Sequence, residues 1–188
     1  QALPAQYHGG AFIGEHGSWD RSPLSGYEVV YVPFKDGKPT GRPQTVVSGF
    51  ASEDEKTLMG APVGMAMDAE GALLVADLFN NAVRRVGADG TVSTVVAAGG
   101  VINGPLSLAT THDGVLYVGD LDGRIVQVTP QGHQIALVGN GRLPRLARPS
   151  GLAMDADGSV LVADAASYRL HRLRPLPVGD LPAPALVG

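Results

Sequence analysis

Three stretches of this chain can be laid over one another, and that self-similarity restricts the fold more than any other feature. They are APVGMAMDAEGALLVADLFNNAVRRV from Ala61, GPLSLATTHDGVLYVGDLDGRIVQV from Gly104 and RPSGLAMDADGSVLVADAASYRLHRL from Arg148. The prolines Pro62, Pro105 and Pro149, the turn glycines Gly71, Gly114 and Gly158, and the aspartates Asp77, Asp120 and Asp164 recur 43 and then 44 residues apart. A fixed period of this size marks stacked supersecondary units, each unable to bury its apolar face alone. Within a unit, short runs of Val, Leu and Ala are punctuated by Asp-Gly or Glu-Gly, which predicts strands joined by tight turns. Each reads as strand, turn, strand ending in Asp, polar loop and third strand. A turn such as GADG or TPQG and a fourth strand such as TVSTVVA or QIALVG follow. Four antiparallel strands in about 40 to 45 residues make one blade of a β-propeller.

The first sixty residues fit the same template with an insertion. GGAFIGEHGSWD aligns with EGALLVADLFNN at an offset of 61, which puts Phe12 on Leu73, His16 on Asp77 and Asp20 on Asn81. YEVVYVPF and PQTVVSGF supply a third and a fourth strand, so only the innermost strand of this blade is missing. The expected fold is all-β, a propeller or propeller segment of about four blades, approximately 1–60, 61–103, 104–147 and 148–188. The proline-rich tail from Pro175 reads as a weak last strand or an extension. An open arc of blades exposes unpaired edges. Three completions are therefore weighed: a small closed ring, a homodimer, or a longer propeller with further blades. Because the first blade is cut mid-pattern, the longer chain is the favoured expectation, and the start at Gln1 fits a processed, trimmed or partial product.

Composition narrows the partners. With 44% hydrophobic and 17% charged residues and a net charge of -4, the chain has neither a basic stripe nor an aromatic series for nucleic acid. No apolar run approaches the roughly 20 residues of a membrane span. The absence of cysteine removes disulfides, thiolate metal sites and thiol nucleophiles. The five histidines, His8, His16, His112, His133 and His171, show no zinc-site spacing, and neither a GxSxG element nor a phosphate-binding loop is present. His112 and His133 fall in turns and are expected to be exposed.

The stretch GAFIGEHGSWDRSPLSGYEVVYVPFKDGKPTG closely resembles the late part of bacterial sorbosone and glucose dehydrogenase-like proteins. The match runs over roughly Leu3 to Asp77 and includes GSWDR and GAPVGMAMDAEGALLVAD. That resemblance implies a propeller that uses pyrroloquinoline quinone (PQQ) to oxidise a sugar, with calcium as a candidate second cofactor and a periplasmic or secreted setting. It further implies that His16, Trp19, Asp20 and Arg21 bear on the quinone or the sugar, Trp19 by stacking and Arg21 by pairing with a carboxylate. The sequence departs from the family pattern at two places. Asp20 stands where Asn is usual, and Ala61 stands where GRPVG would carry an arginine. The family's general-base histidine belongs to an earlier blade that this chain does not contain, which leaves open whether the chain is an enzyme and which residues are catalytic. From Pro62 onward the repeats equally resemble the NHL type, PxGLAxDxDGxLxVAD, which implies fold more than chemistry. The alternative function is accordingly a non-catalytic NHL-like platform binding a protein or a small ligand.

In a blade, the loop after the second strand and the loop leading into the innermost strand lie on the same face near the axis. HGSWDR, DLFNN, DLDG, DAASY, LMGAPVG and RLARPSG are therefore expected to converge. The competing reading of GEHGSWDR is a structural loop, with Trp19 packed on a neighbouring blade and Asp20 and Arg21 bonded to backbone. Asp77, Asp120 and Asp164 could ring a cation. Their repetition favours instead a structural task, accepting backbone N–H bonds in the loop after the second strand. Arg84, Arg124, Arg169 and Arg172 read as solvated blade surface, and GNGRLPRLARP from Gly139 as an interblade loop with partner docking as its functional reading.

Overall fold

The computed structural model describes residues 3–18, 20–54 and 56–175. Apart from one 3-10 turn at Ala5–Tyr7, the regular structure of the described residues is β-strand. The strands fall into four antiparallel sheets, the blades of a propeller. The first holds β1 (Gly10–Glu15), β2 (Glu28–Lys35), β3 (Lys38–Pro39) and β4 (Gln44–Val47). The second holds β5 (Pro62–Met67), β6 (Leu73–Asp77), β7 (Ala82–Val86) and β8 (Val92–Val96), in that spatial order. The third repeats it with β9 (Pro105–Thr110), β10 (Leu116–Asp120), β11 (Ile125–Val128) and β12 (Gln134–Val138). The fourth holds β13 (Pro149–Met154), β14 (Val160–Asp164) and β15 (Arg169–Leu173). The tail from residue 176 on, read from sequence as a weak strand or an extension, lies outside the described residues.

Strand packing supports the reading of the first blade. β1 lies against β5 as β6 lies against β9 and β10 against β13, so β1 holds the second-strand place. β3 and β4 both pair with β2, on either side of a break at residues 40–43 that contains Pro43, which has no N–H for a ladder. The inner strands β5, β9 and β13 pack side by side. Their approach is close enough that a Cβ on Gly64 would lie 2.5 Å from the Leu106 carbonyl oxygen. The turns after the inner strands need a left-handed residue, and Gly71, Gly114 and Gly158 supply it with φ of 78°, 85° and 81°.

Each blade meets the next across its own apolar layer. Leu73 and Val75 of β6 face the first blade with Val29, Val47 and Phe50. Leu74 and Ala76, the alternate residues, face the third blade with Leu116, Val118 and Val126. Tyr117 and Ile125 then meet Val160 and Val162 of the fourth. A strand covered on both sides must be apolar at successive positions rather than alternately. LLVAD and LYVGD are accordingly buried throughout, whereas in VLVAD Leu161 and Ala163 are only half-buried. The described residues thus form an arc whose fourth blade is covered on one side.

Candidate functional site

The repeated aspartates shape the face on which the loops meet. Asp77 Oδ1 accepts the Ala61 N–H at 3.3 Å, Asp120 Oδ2 the Asn103 N–H at 3.1 Å, and Asp164 Oδ2 the Ala147 N–H at 3.0 Å. Asp164 Oδ1 also accepts the Arg148 N–H. In return the residue after each aspartate donates its own N–H to the same segment, Leu78 to Ala61 O, Leu121 to Asn103 O and Ala165 to Arg148 O. The structural role expected of these carboxylates holds, but the target differs. Their backbone bonds mainly clamp the segment entering the inner strand; the loop after each aspartate's own strand is held through a backbone N–H by Asp120, from Arg124 at 2.9 Å, and through side chains by Asp77, from Asn80 at 2.8 Å, and by Asp164, from the Ser167 hydroxyl at 2.7 Å. The reason is geometric: the second strand ends beside the inner strand's beginning, so its carboxylate meets N–H groups that no ladder satisfies.

Environment shifts the proton affinity of two clamps in opposite directions. Burial pushes the Asp120 carboxyl above the usual carboxylate range despite bonds from the Arg124 and Asn103 N–H groups. For Asp164 burial also pushes upward, but the Ser167 hydroxyl and the Arg148 and Ala147 N–H groups outweigh it and hold the carboxyl below that range. Two arginines expected to be solvated surface take part. Arg84 Nε bonds Asp77 Oδ2 at 3.2 Å, and Arg124 pairs with Asp122 at 2.9 Å and with Asp120 at 3.4 Å. Arg172 pairs with Asp157 at 3.1 Å and Arg169 is exposed. His112 and His133 are exposed in turns, as expected.

His16 occupies the clamp position of the first blade, where the described residues hold no inner strand to clamp. It lines instead a cavity of about 430 Å³ that brings all four blades together. Gly17, Ser18, Leu24 and Tyr27 come from the first blade, Leu58 from the segment leading toward the second, Ala61, Leu78 and Phe79 from the second, Leu106 from the third and Arg148 from the fourth. Of the loops expected to converge, HGSWDR, DLFNN, LMGAPVG and RLARPSG contribute to it, while DLDG and DAASY do not. Local packing gives the wall its shape. A Cβ on Gly17 would lie 1.9 Å from Tyr27 Cζ, so only glycine lets that ring pass, and the Tyr27 hydroxyl donates to Ser18 O at 3.1 Å. Ser18 Oγ is shielded from solvent with no hydrogen-bond partner among the described residues.

The other residues singled out from sequence are placed differently. Trp19 lies outside the described residues. Asp20 and Arg21 are exposed and do not line the cavity, and the Arg21 guanidinium donates weakly to Ser25 Oγ at 3.5 Å. Among the described residues no group of three or more His, Cys, Asp or Glu side chains comes together to hold a metal ion. Sequence reasoning misses Arg148, although the signal is present: it precedes Pro149 as Ala61 precedes Pro62, and the repeat carries both to equivalent points of the same face. Among the described residues no helix is long and apolar enough to cross a membrane.

Comparison with known proteins agrees with the fold. Residues 5–83 match the TrAA12-like family, residues 92–128 the strictosidine synthase-like N-terminal family, and residues 146–173 the NHL repeat family. An uncharacterized protein of Borreliella burgdorferi is 36% identical over 85 residues, which is 45% of this chain and 22% of that protein. Among solved structures, a protein described as a gluconolactonase is similar with a TM-score of 0.59 and 16% identity, over 94% of this chain and 66% of that one. Virginiamycin B lyase from Staphylococcus aureus is similar with a TM-score of 0.51 and 16% identity, over 80% of this chain and 50% of the lyase. The chain therefore spans half to two thirds of these structures and about a fifth of the sequence relative. At such identities the likeness shows architecture, and the common ground is a β-propeller that carries NHL-type repeats.

Proposed function

We propose that this chain supplies blades around the cofactor face of a PQQ-dependent sugar dehydrogenase-like protein. The observation that carries the reading is the cavity on the axial face. It lies beside GEHGSWDR, the stretch with the most specific resemblance, and its volume of about 430 Å³ suits a small molecule. The residues present fit such a group. Leu58, Leu78 and Phe79 offer apolar walls to a flat ring system, the unpaired Ser18 Oγ offers a hydrogen bond, and His16 stands exposed at the edge. When bound, the quinone would accept the two electrons removed from a sugar hydroxyl. This chain's own part is to hold the ring, orient it and exclude water, with Asp77 keeping Ala61 and its wall in place. Asp20 and Arg21 follow the cavity-lining Ser18 and, with Trp19, are proposed to complete the site, while calcium and a periplasmic or secreted setting are part of the same reading.

Calorimetric titration of the chain with PQQ and calcium, with solution mass measured on the same sample, tests the reading. Saturable binding at micromolar or tighter concentrations is the expected outcome, and sugar oxidation assays follow from it. No binding by a well-folded chain would sink it and leave a non-catalytic NHL-like platform.

A further inference from the structure

Arg148 stands out among the cations of this face because nothing in the described structure engages its side chain. Its backbone is held at both ends of the peptide unit, the N–H by Asp164 Oδ1 and the carbonyl by the Ala165 N–H at 2.9 Å. The anchor residue is thereby fixed while the guanidinium takes part in no hydrogen bond or ion pair among the described residues. Arg84, Arg85, Arg124 and Arg172 of the repeats each pair with a carboxylate, whereas Arg169, exposed and without an ion pair among the described residues, does not line the cavity. Arg148 lines the cavity, and no Asp or Glu does. The remaining lining is largely apolar, with His16 and the unpartnered Ser18 Oγ as polar groups on the first-blade side.

Arg148 is solvent-exposed where it lines the cavity, and a guanidinium presents a planar fork of donors matched to a carboxylate, here with no acid in the lining to compete for it. We propose that Arg148 is the anion-pairing residue of this cavity and that the cavity takes a flat, apolar ring bearing a carboxylate, with the carboxylate on Arg148. The inference deepens the preceding reading and rests on it only in placing a small ligand here; it does not require the ligand to be a quinone. It assigns the pairing to Arg148 instead of Arg21, which is exposed outside the lining. It also accounts for the tolerance of alanine at position 61, since the equivalent point two blades on supplies the charge.

The test titrates the full chain with three probes: PQQ, its trimethyl ester, and quinoline-2,4-dicarboxylate, a carboxylated ring without the quinone. Native protein is compared with Arg148→Gln, Arg148→Lys and, as a control from the same loop, Arg142→Gln. Arg148→Gln is expected to weaken the acids about 10- to 100-fold, the scale of a lost charge-assisted hydrogen bond, and to leave the ester unchanged. Arg148→Lys should restore part of the loss, and Arg142→Gln should bind as native. Equal affinity of native and Arg148→Gln for the acids, equal loss for acid and ester, or no binding of either acid to the folded native chain overturns the proposal. Binding of the quinoline acid alone, with the same Arg148 dependence, would sink the quinone reading and keep this one. Should Arg148→Gln fail to fold, the native chain's preference for acid over ester decides, and equal affinity overturns it.

Discussion

Tyr168 sits in a conformation that its neighbours in the repeat reach at lower cost. The loop after the second strand needs a left-handed residue, supplied by Asn81 at φ 49° in the second blade and Gly123 at φ 75° in the third, but by Tyr168 at φ 56° in the fourth. Asn tolerates this region because its short amide bonds locally, whereas a tyrosine Cβ crowds the following carbonyl. Tyr168 is 95% exposed, so its ring returns almost nothing in packing. Tyr168→Asn is therefore expected to stabilise the fold by about 1 kcal/mol and to raise Tm by about 2–4 °C. An unchanged or lower Tm in a thermal melt would contradict the strain argument. The same residue-level view shows what sequence could not supply at Gly17: HGS reads as an ordinary turn, and only the Tyr27 ring lying across it reveals why a side chain is excluded.

At the scale of the element, the third strand of the second, third and fourth blades carries a residue at the position facing the turn after the inner strand. In the second blade Arg85 Nε bonds Asp68 Oδ2 at 2.6 Å. Burial pushes the Asp68 carboxyl up, but the Ala72 N–H and Arg85 outweigh it and hold it below the usual range. The fourth blade repeats the device with Arg172 and Asp155 at 2.5 Å. In the third blade the turn begins with Thr111, whose hydroxyl accepts the Val115 N–H at 2.9 Å, and Gln127 stands where the arginine would be. Gln127 is fully buried, with neither amide atom hydrogen-bonded among the described residues. A buried amide without partners costs more than an apolar side chain of similar shape. Gln127→Leu is expected to stabilise the protein by about 1–2 kcal/mol. A fall in Tm would instead mean that an internal water satisfies the amide.

For the whole molecule, the uneven covering of the blades matters most. β6 and β10 are buried along their full length, β14 only at alternate positions, and on β15 Leu170 is 84% exposed. Apolar side chains left uncovered in this way offer a surface that a second chain can cover. Sedimentation of the isolated chain at micromolar concentration is expected to show species above the mass of one chain, and Leu170→Lys should shift the population toward the monomer. A single monomeric species across the accessible concentrations would show that this surface is not adhesive.

The repeat spacing determined the blades, the missing inner strand of the first blade and the face toward which the loops turn, because strand period and turn chemistry are local properties of the chain. The repeated aspartates were legible as structural for the same reason. Tertiary structure decided what each carboxylate clamps, since the N–H groups of Ala61, Asn103 and Ala147 lie 16 to 17 residues away and reach it only when the blade closes. It also decided which charges face the cavity. Arg21 and Arg148 are both plausible anion partners as letters in a sequence, but their separation across three blades means that only packing selects Arg148 for the wall and leaves Arg21 outside it.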